Sequence, residues 1–413
     1  MENENLKQNS PEETGNETKT SKVKQKNIPG LKKAISAESF ITIGIFVVVF
    51  GGIAHVMGGV NMMNTLMQTA YSLLLETVFY IMGIAVIAGA FSGLMSEFGI
   101  ISLINKALSP LMKPLYDLPG ASTLGILSCY MSDNPAILTL AGDEGFKRYF
   151  KKYQLPALTN IGTSFGMGLI ITTFMIGITP GDGESFGLAV LIGNIGAIIG
   201  SIVSTRLMLH QTKKIYGTEA PCIENTDGEA LSMEYRKVRE GSTFARFLQS
   251  ILDGGKVGVE MGMAIIPGVL IICTIVLMLT NGPSEAGVYT GAAYEGVGLL
   301  PWIGEKLGFI LKPLFNFSCA EAISVPITSL GAAGAAIGLV PKMVSEGLVH
   351  AHDIAVFTAM CMCWSGYLST HVAMMDSLKC PHLATKAIIC HTIGGLSAGV
   401  AANLLFQLVS MVL

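Results

Sequence analysis

Charge is what this chain has least of. Asp, Glu, Lys and Arg make up 13% of its 413 residues, against about 25% in an ordinary soluble domain. So few charges cannot cover a soluble surface of that size. No stretch joins basic residues to aromatics, so nucleic acid is not an expected partner. The eight cysteines show neither paired zinc spacing nor a disulfide framework. Six of them, Cys129, Cys273, Cys319, Cys361, Cys363 and Cys390, lie in apolar segments, where a thiol behaves as a small hydrophobe. No nucleophile–base pattern, phosphate loop or metal-ligand signature occurs, so neither an enzyme nor a bound cofactor is expected. No signal peptide is expected either. The basic N-terminal region is not followed by a short apolar run with a small-residue cleavage site.

What the chain has is apolar length. Hydrophobic residues reach 51%, and glycine, which lets helices pack closely in lipid, numbers 48. Residues 1–35 are polar and Lys-rich, and read as a disordered cytoplasmic tail. A span needs about 20 mainly apolar residues. Segments 39–60, 68–96, 153–179, 184–209, 256–280, 353–378 and 384–412 meet that need. Two further apolar pieces break in the middle. Residues 120–141 break at Ser132-Asp133-Asn134-Pro135, and residues 319–341 break around Ser329–Gly334. Halves this short predict re-entrant hairpins, with two kinked full spans as the alternative. Non-helical backbone at that depth survives only beside protein or a watery cavity.

The basic residues orient the layout. With the tail inside and both hairpins re-entrant, all of the 26 Lys and Arg except Lys306, Lys312 and Lys342 fall on the inner side, as cytoplasmic loops require. This predicts a multi-pass protein of the cell membrane, with its N-terminus cytoplasmic and its C-terminus outside.

The chain also repeats itself. Met112-Lys113-Pro114-Leu115-Tyr116 matches Leu311-Lys312-Pro313-Leu314-Phe315, 199 residues on, and a broken apolar hairpin follows each. Each copy crosses three times, which inverts the second copy. The expected fold is an all-α polytopic membrane protein of two inverted repeats, each with a re-entrant hairpin and an interrupted helix. Its parts are an extra first span at 36–60, a first repeat at 65–209, a cytoplasmic loop at 210–250 and a second repeat at 251–413. Inverted repeats with broken helices are a common plan of secondary transporters, because they place helix ends and free carbonyls at mid-membrane.

Polar residues inside this plan are the candidate site. Ser132, Asp133 and Asn134 occupy the first tip, either as ligands or as caps on the following half-helix. Glu321 opens the second hairpin, as a ligand or as a partner of the helix dipole. Thr159, Asn160, Thr163 and Ser164 interrupt one span; Trp364, Ser365, Ser369, Thr370 and His371 interrupt its counterpart. They either bond helix to helix or face the tips. Asn160, Thr163, Ser365, Ser369 and Thr370 are the solute-binding candidates among them, and Asp133 and Glu321 the candidates for a coupling cation, sodium or a proton. Glu76 and Glu260 recur near the starts of their spans, at headgroup level or as proton carriers. Asp376 reads as interfacial. Cys380, His382, Cys390 and His391 lack known zinc spacing. Gly254, Gly258 and Gly262, like Gly196 and Gly200, form faces for packing.

From the segment Cys129-Tyr130-Met131-Ser132-Asp133-Asn134-Pro135-Ala136-Ile137 and the Glu321 hairpin, the chain resembles membrane proteins with nucleoside-recognition, or Gate, domains of the YjiH type. The resemblance covers about residues 65–413. It extends to the Gate segments of spore-maturation proteins and ferrous-iron transporters, and more distantly to concentrative nucleoside transporters, whose hairpin tips bind nucleoside and sodium. The first tip here has Ser-Asp-Asn-Pro in place of the Gln-Thr-Glu of those transporters. The resemblance implies alternating-access transport of a small polar solute, with nucleosides or nucleobases first. A metal-ion permease and a non-transporting subunit of a membrane complex are the alternatives. Lipid and a solute are the implied partners, with a homo-oligomer or a membrane partner subunit left open.

Overall fold

The computed structural model describes residues 34–412 except Pro135, Asp143, Arg148, residues 180–184, residues 224–237 and Glu285. The expected tail therefore lies almost wholly outside the described residues, as does the centre of the expected cytoplasmic loop. The chain divides into two units, one ending at Gly52 and one running from Ile53 onward. The described part of the first unit is residues 34–52, most of them in α1 (Ala37–Met57), a helix long and apolar enough to cross a bilayer whose last turn belongs to the second unit. All the remaining elements belong to the second unit.

That unit is helical. Helix α2 (Gly59–Glu97) runs for 39 residues, about 58 Å at 1.5 Å per residue. The sequence placed a gap between spans at 61–67, but the helix fills it, starting straight after Gly58 at φ 83°. Glu76 therefore lies deep inside a helix and not near its start. It sits in a π-helical turn, Leu73–Val78. Helix α9 (Thr243–Pro267) likewise continues through a π-turn, Gly268–Cys273, and a further helical piece, Thr274–Thr280. Glu260 falls in its interior.

Between these lie α3 (Ile100–Tyr116), α4 (Ser122–Met131), α5 (Ala136–Gly142), α6 (Ala157–Thr163), α7 (Gly168–Gly177) and α8 (Gly187–Tyr216). Helix α8 passes seven residues beyond the expected span end at 209. After α9 come α10 (Leu299–Lys306), α11 (Gly308–Phe315), α12 (Ser324–Gly331), α13 (Ala333–Ser345), α14 (Ala351–Trp364), α15 (Tyr367–Ser377) and α16 (Ala384–Ser410). Five helical stretches among the described residues are long and apolar enough to cross a membrane. Met67, Phe91, Leu191, Leu404 and Leu408 leave their side chains exposed, as lipid-facing positions do. Helix α14 is the reverse: from Asp353 to Trp364 every residue is buried.

Two antiparallel pairs frame the unit. A Cβ on Gly89 would strike the Gly254 carbonyl, one on Gly93 the Ser250 carbonyl, and one on Gly258 the Ala85 carbonyl. Only glycine permits α2 and α9 to approach that closely. Helices α8 and α16 meet the same way, Gly200 against the Gly394 carbonyl and Gly394 against Ser204. The glycine faces read from the sequence are thus packing faces.

Elements recur at the 199-residue spacing. Helices α3 and α11 end on left-handed residues, Asp117 (φ 57°) and Asn316 (φ 51°). The later breaks carry Met167 (φ 56°) and Gly366 (φ 69°) at the same spacing. The carbonyls of Leu115 and Leu314 are held by Arg206 Nε at 2.7 Å and Asn403 Nδ2 at 2.9 Å.

Candidate functional site

Both expected hairpins are present. In the first, a Cβ on Gly125 of α4 would lie 2.7 Å from Ile137 of α5, so the halves run back along one another. The chain turns at Ser132-Asp133-Asn134, and Cys129 Sγ donates to the Asn134 carbonyl at 3.2 Å. In the second, α12 and α13 meet at Ala332, whose φ of −158° and ψ of 109° break the helix. Its tip is Gly331-Ala332-Ala333, small and apolar.

The three polar residues of the first tip have separate tasks. Ser132 Oγ accepts the Asp133 N–H at 2.6 Å, and Asp133 Oδ1 accepts the Asn134 N–H at 2.8 Å. These bonds cap local backbone. Asn134 reaches across the fold. It is 1% exposed, and its Nδ2 donates to the Ser365 carbonyl at 2.9 Å and to Thr370 Oγ1 at 3.1 Å. Its Oδ1 accepts from Ser365 Oγ at 3.2 Å.

Ser365 closes the circle. It lies in the break between α14 and α15 with φ 39°, and its Oγ also contacts the Gly166 carbonyl at 3.0 Å. Gly166 belongs to the break between α6 and α7, 199 residues earlier. The Gly366 N–H donates to the Ser329 carbonyl at 2.8 Å, which brings the second hairpin to the same place. One tip and two breaks therefore share a closed set of hydrogen bonds, with the second hairpin's last turn against it.

Other candidates lie elsewhere. Asn160 is fully buried and donates to Ser204 Oγ and the Ala387 carbonyl, each at 3.0 Å. Thr163 Oγ1 faces Met374 Sδ at 3.6 Å. Ser369 is helical, but its side chain is not among those described. Glu321 is not brought to the tips. It stands at the opposite end of its hairpin, about 15 Å away along the helix, beside Thr280, Asn281, Lys342 and Glu346. Nor do the Cys and His residues near 380–391 converge. His382 Nε2 is 3.2 Å from Tyr216 Oη, while His391 points inward. No group of three metal-ligating side chains occurs among the described residues.

Two features escaped sequence reasoning. Gly166 and Ser204 carry no signal of their own, because small residues are everywhere in this chain. The other is a cavity of about 410 Å³ lined by Glu76, Thr77, Tyr80, Phe174, Tyr294 and Lys342, among others. Tyr294 Oη bonds Ser72 at 2.9 Å and Glu76 at 3.4 Å, and Lys342 Nζ lies 4.2 Å from the Tyr294 ring centre. The paired Glu76 and Glu260 suggested symmetry, yet only Glu76 faces this cavity.

These features define a multi-pass helical membrane protein with paired hairpins and interrupted helices. No protein-family model matches the chain, and no curated protein matches it. Among solved structures, its fold is similar to that of the concentrative nucleoside transporter CNTnw. Against CNTnw in an inward-facing, substrate-bound state the TM-score is 0.52 at 12% identity, covering 89% of this chain and 85% of that one. Against a doubly substituted CNTnw in an outward-facing state it is 0.52 at 13%, covering 90% and 85%. At such identity the likeness is one of fold.

Proposed function

We propose that this chain is a secondary transporter of a small polar solute, with nucleosides or nucleobases the first class to test, working by alternating access. The carrying observation is the Asn134 contact, in which a hairpin tip bonds a helix break from the other half of the chain. Such a contact closes a path when made and opens one when broken. The likeness to a protein solved in inward- and outward-facing states supports the same reading. The antiparallel packing of α8 on α16, which correspond at the 199-residue spacing, supports inverted repeats, as the Gate resemblance implies. The solute would replace the bonds that Asn134, Ser365 and Thr370 make to one another, with Ser132 and Asp133 at the margin and a coupling cation nearby. The basic inner loops support a cytoplasmic N-terminus.

The test is a thermal-shift panel on protein in detergent, with nucleosides, nucleobases, amino acids, sodium and divalent metals. A ligand at 100 times its dissociation constant adds about 2.7 kcal/mol to the folded state. A hit then goes to uptake in proteoliposomes with wild type and Asn134→Ala. Loss of uptake in the folded variant is expected, and unchanged uptake overturns the tip site.

A further inference from the structure

Behind the tip contact lies a second polar cluster that the transport site does not use. Its wiring can be read atom by atom. His391 Nε2 is 2.7 Å from the Cys363 carbonyl, which can only accept, so Nε2 carries the hydrogen. His391 Nδ1 lies 2.9 Å from Ser204 Oγ and, in the neutral ring, takes that hydroxyl's hydrogen. Ser204 Oγ in turn accepts from Asn160 Nδ2. Both nitrogens of His391 are therefore engaged.

His371 is the opposite. It is fully buried, its ring centre lies 4.6 Å from that of His391, and neither of its nitrogens has a partner. Asn160 Oδ1, on the same wired chain, is also an acceptor without a partner. Buried polar atoms are nearly always satisfied, so such a group calls for an explanation. The surroundings limit the choices. Helices α6 and α12, which pack against α15, contain no ionisable residue. Helix α16 brings His391, α14 brings the Cys363 thiol, and α15 itself brings Tyr367, whose ring is 5.5 Å away. Asp376 on α15 and His382 beyond it are exposed, as is Lys386 on α16. The first tip, which meets α15 through Asn134 and Thr370, brings the Asp133 carboxyl, bonded to the Asn134 N–H, and His391 has both nitrogens engaged. His371 is the histidine of this cluster with both nitrogens free to take a new partner, and histidine is the side chain that ordinarily gains charge near neutral pH.

Its place in the chain gives that charge a use. His371 follows Thr370, the residue that holds Asn134. We propose that His371 is a proton-binding residue, loaded when the tip contact opens and water reaches the imidazole, so that the proton favours the open tip. A ligand that binds one state better shifts the population toward that state, and the proton obeys the same rule. The inference rests on the transport reading, in which the tip opens and closes, and it names the proton as the coupling ion.

The chain has seven histidines, few enough to assign each by substitution. Protein labelled with ¹⁵N-histidine in lipid nanodiscs is titrated from pH 8 to pH 5. The resonances missing from His371→Gln should move from one protonated nitrogen to two, while those missing from His391→Gln keep one throughout. Hydrogen exchange of residues 129–138, corrected for intrinsic rate, should be at least tenfold faster at pH 5 than at pH 8 in wild type and flat in His371→Gln. His371→Asn serves if the Gln variant does not fold. A His371 that stays neutral to pH 5, or exchange with the same pH dependence in both proteins, overturns the proposal. Neither measurement needs a solute, so a chain that moves nothing fails the transport reading separately.

Discussion

The two halves of this chain build one backbone plan from different chemistry. After α3, Asp117 takes Lys113 and, at 2.6 Å, Lys213. After α11 the matching residue is the neutral Asn316, and the carbonyl held by Arg206 in the first half is held by Asn403 in the second. At the tips the first hairpin presents Ser132-Asp133-Asn134 and the second presents Gly331-Ala332-Ala333. A recurrent fold therefore does not require recurrent interactions. Left-handed caps and breaks set the path of the chain, while the charged partners differ between the halves and one tip supplies the bonds across the fold.

The sharpest way to break the comparison is at small residues near the two tips. A Cβ on Gly166 would run into Asn134 Oδ1 and come within 2.6 Å of Ser365 Oγ, whereas one on Gly331 would meet Ile272 at 3.5 Å, an ordinary contact. Gly166→Ala should cost about 3 kcal/mol of stability through overpacking and lost bonds, and Gly331→Ala should change it by less than about 1 kcal/mol. Thermal unfolding of both in one detergent checks this. Equal effects would mean that the first tip is no tighter than the second.

Removing the crossing side chain comes next. Asn134→Ala should cost about 2 kcal/mol, the range for leaving a buried partner unpaired, and should speed amide exchange across residues 365–370. Ala332→Ser, at the other tip, should leave exchange there unchanged.

The breaks differ in how they meet the left-handed region. Met167 enters it with a full side chain, and Gly366 without one. Gly366→Ala should cost about 1–2 kcal/mol, the more so because its Cβ would lie 3.0 Å from the Gly331 carbonyl. Urea or thermal unfolding gives the number, and no loss would show that the second break can relax.

The smallest effect separates Asp117 from Asn316. Burial raises the Asp117 carboxyl, but hydrogen bonds from Lys113 and Lys213 outweigh it and hold the group below the usual carboxylate range. A depressed pKa stabilises the folded state above the unfolded value, about 3.9 for Asp, and that stability is lost as pH falls through the folded value. Thermal midpoints of wild type should therefore fall more steeply below about pH 4 than those of Asp117→Asn. The difference should be under about 1 kcal/mol, because the pair is partly solvated.

Much of the architecture was legible because membrane burial writes itself into composition. Apolar runs marked the long helices, and the polar residues at 132–134 marked a true turn; of 364–371 only Ser365 and Gly366 leave the helix, and Thr159–Thr163 are helical, with the break just after them. The site was less legible. Asp133 drew attention as an ionisable group at depth, yet it caps its own turn while Asn134 makes the crossing bonds. Glu321 drew attention for the same reason and lies at the far end of its hairpin. Charge predicts that a residue needs a partner, but not where the partner is.

Periodicity and the 199-residue repeat determined the helices, hairpins and breaks, because each depends on residues close in sequence. Which polar atoms meet was decided only in three dimensions. Asn134 and Ser365 are 231 residues apart, and Asn160 joins His391 through a serine on a third helix. Those contacts depend on how glycine faces on separate helices set the approach of backbones, and no local pattern records that distance.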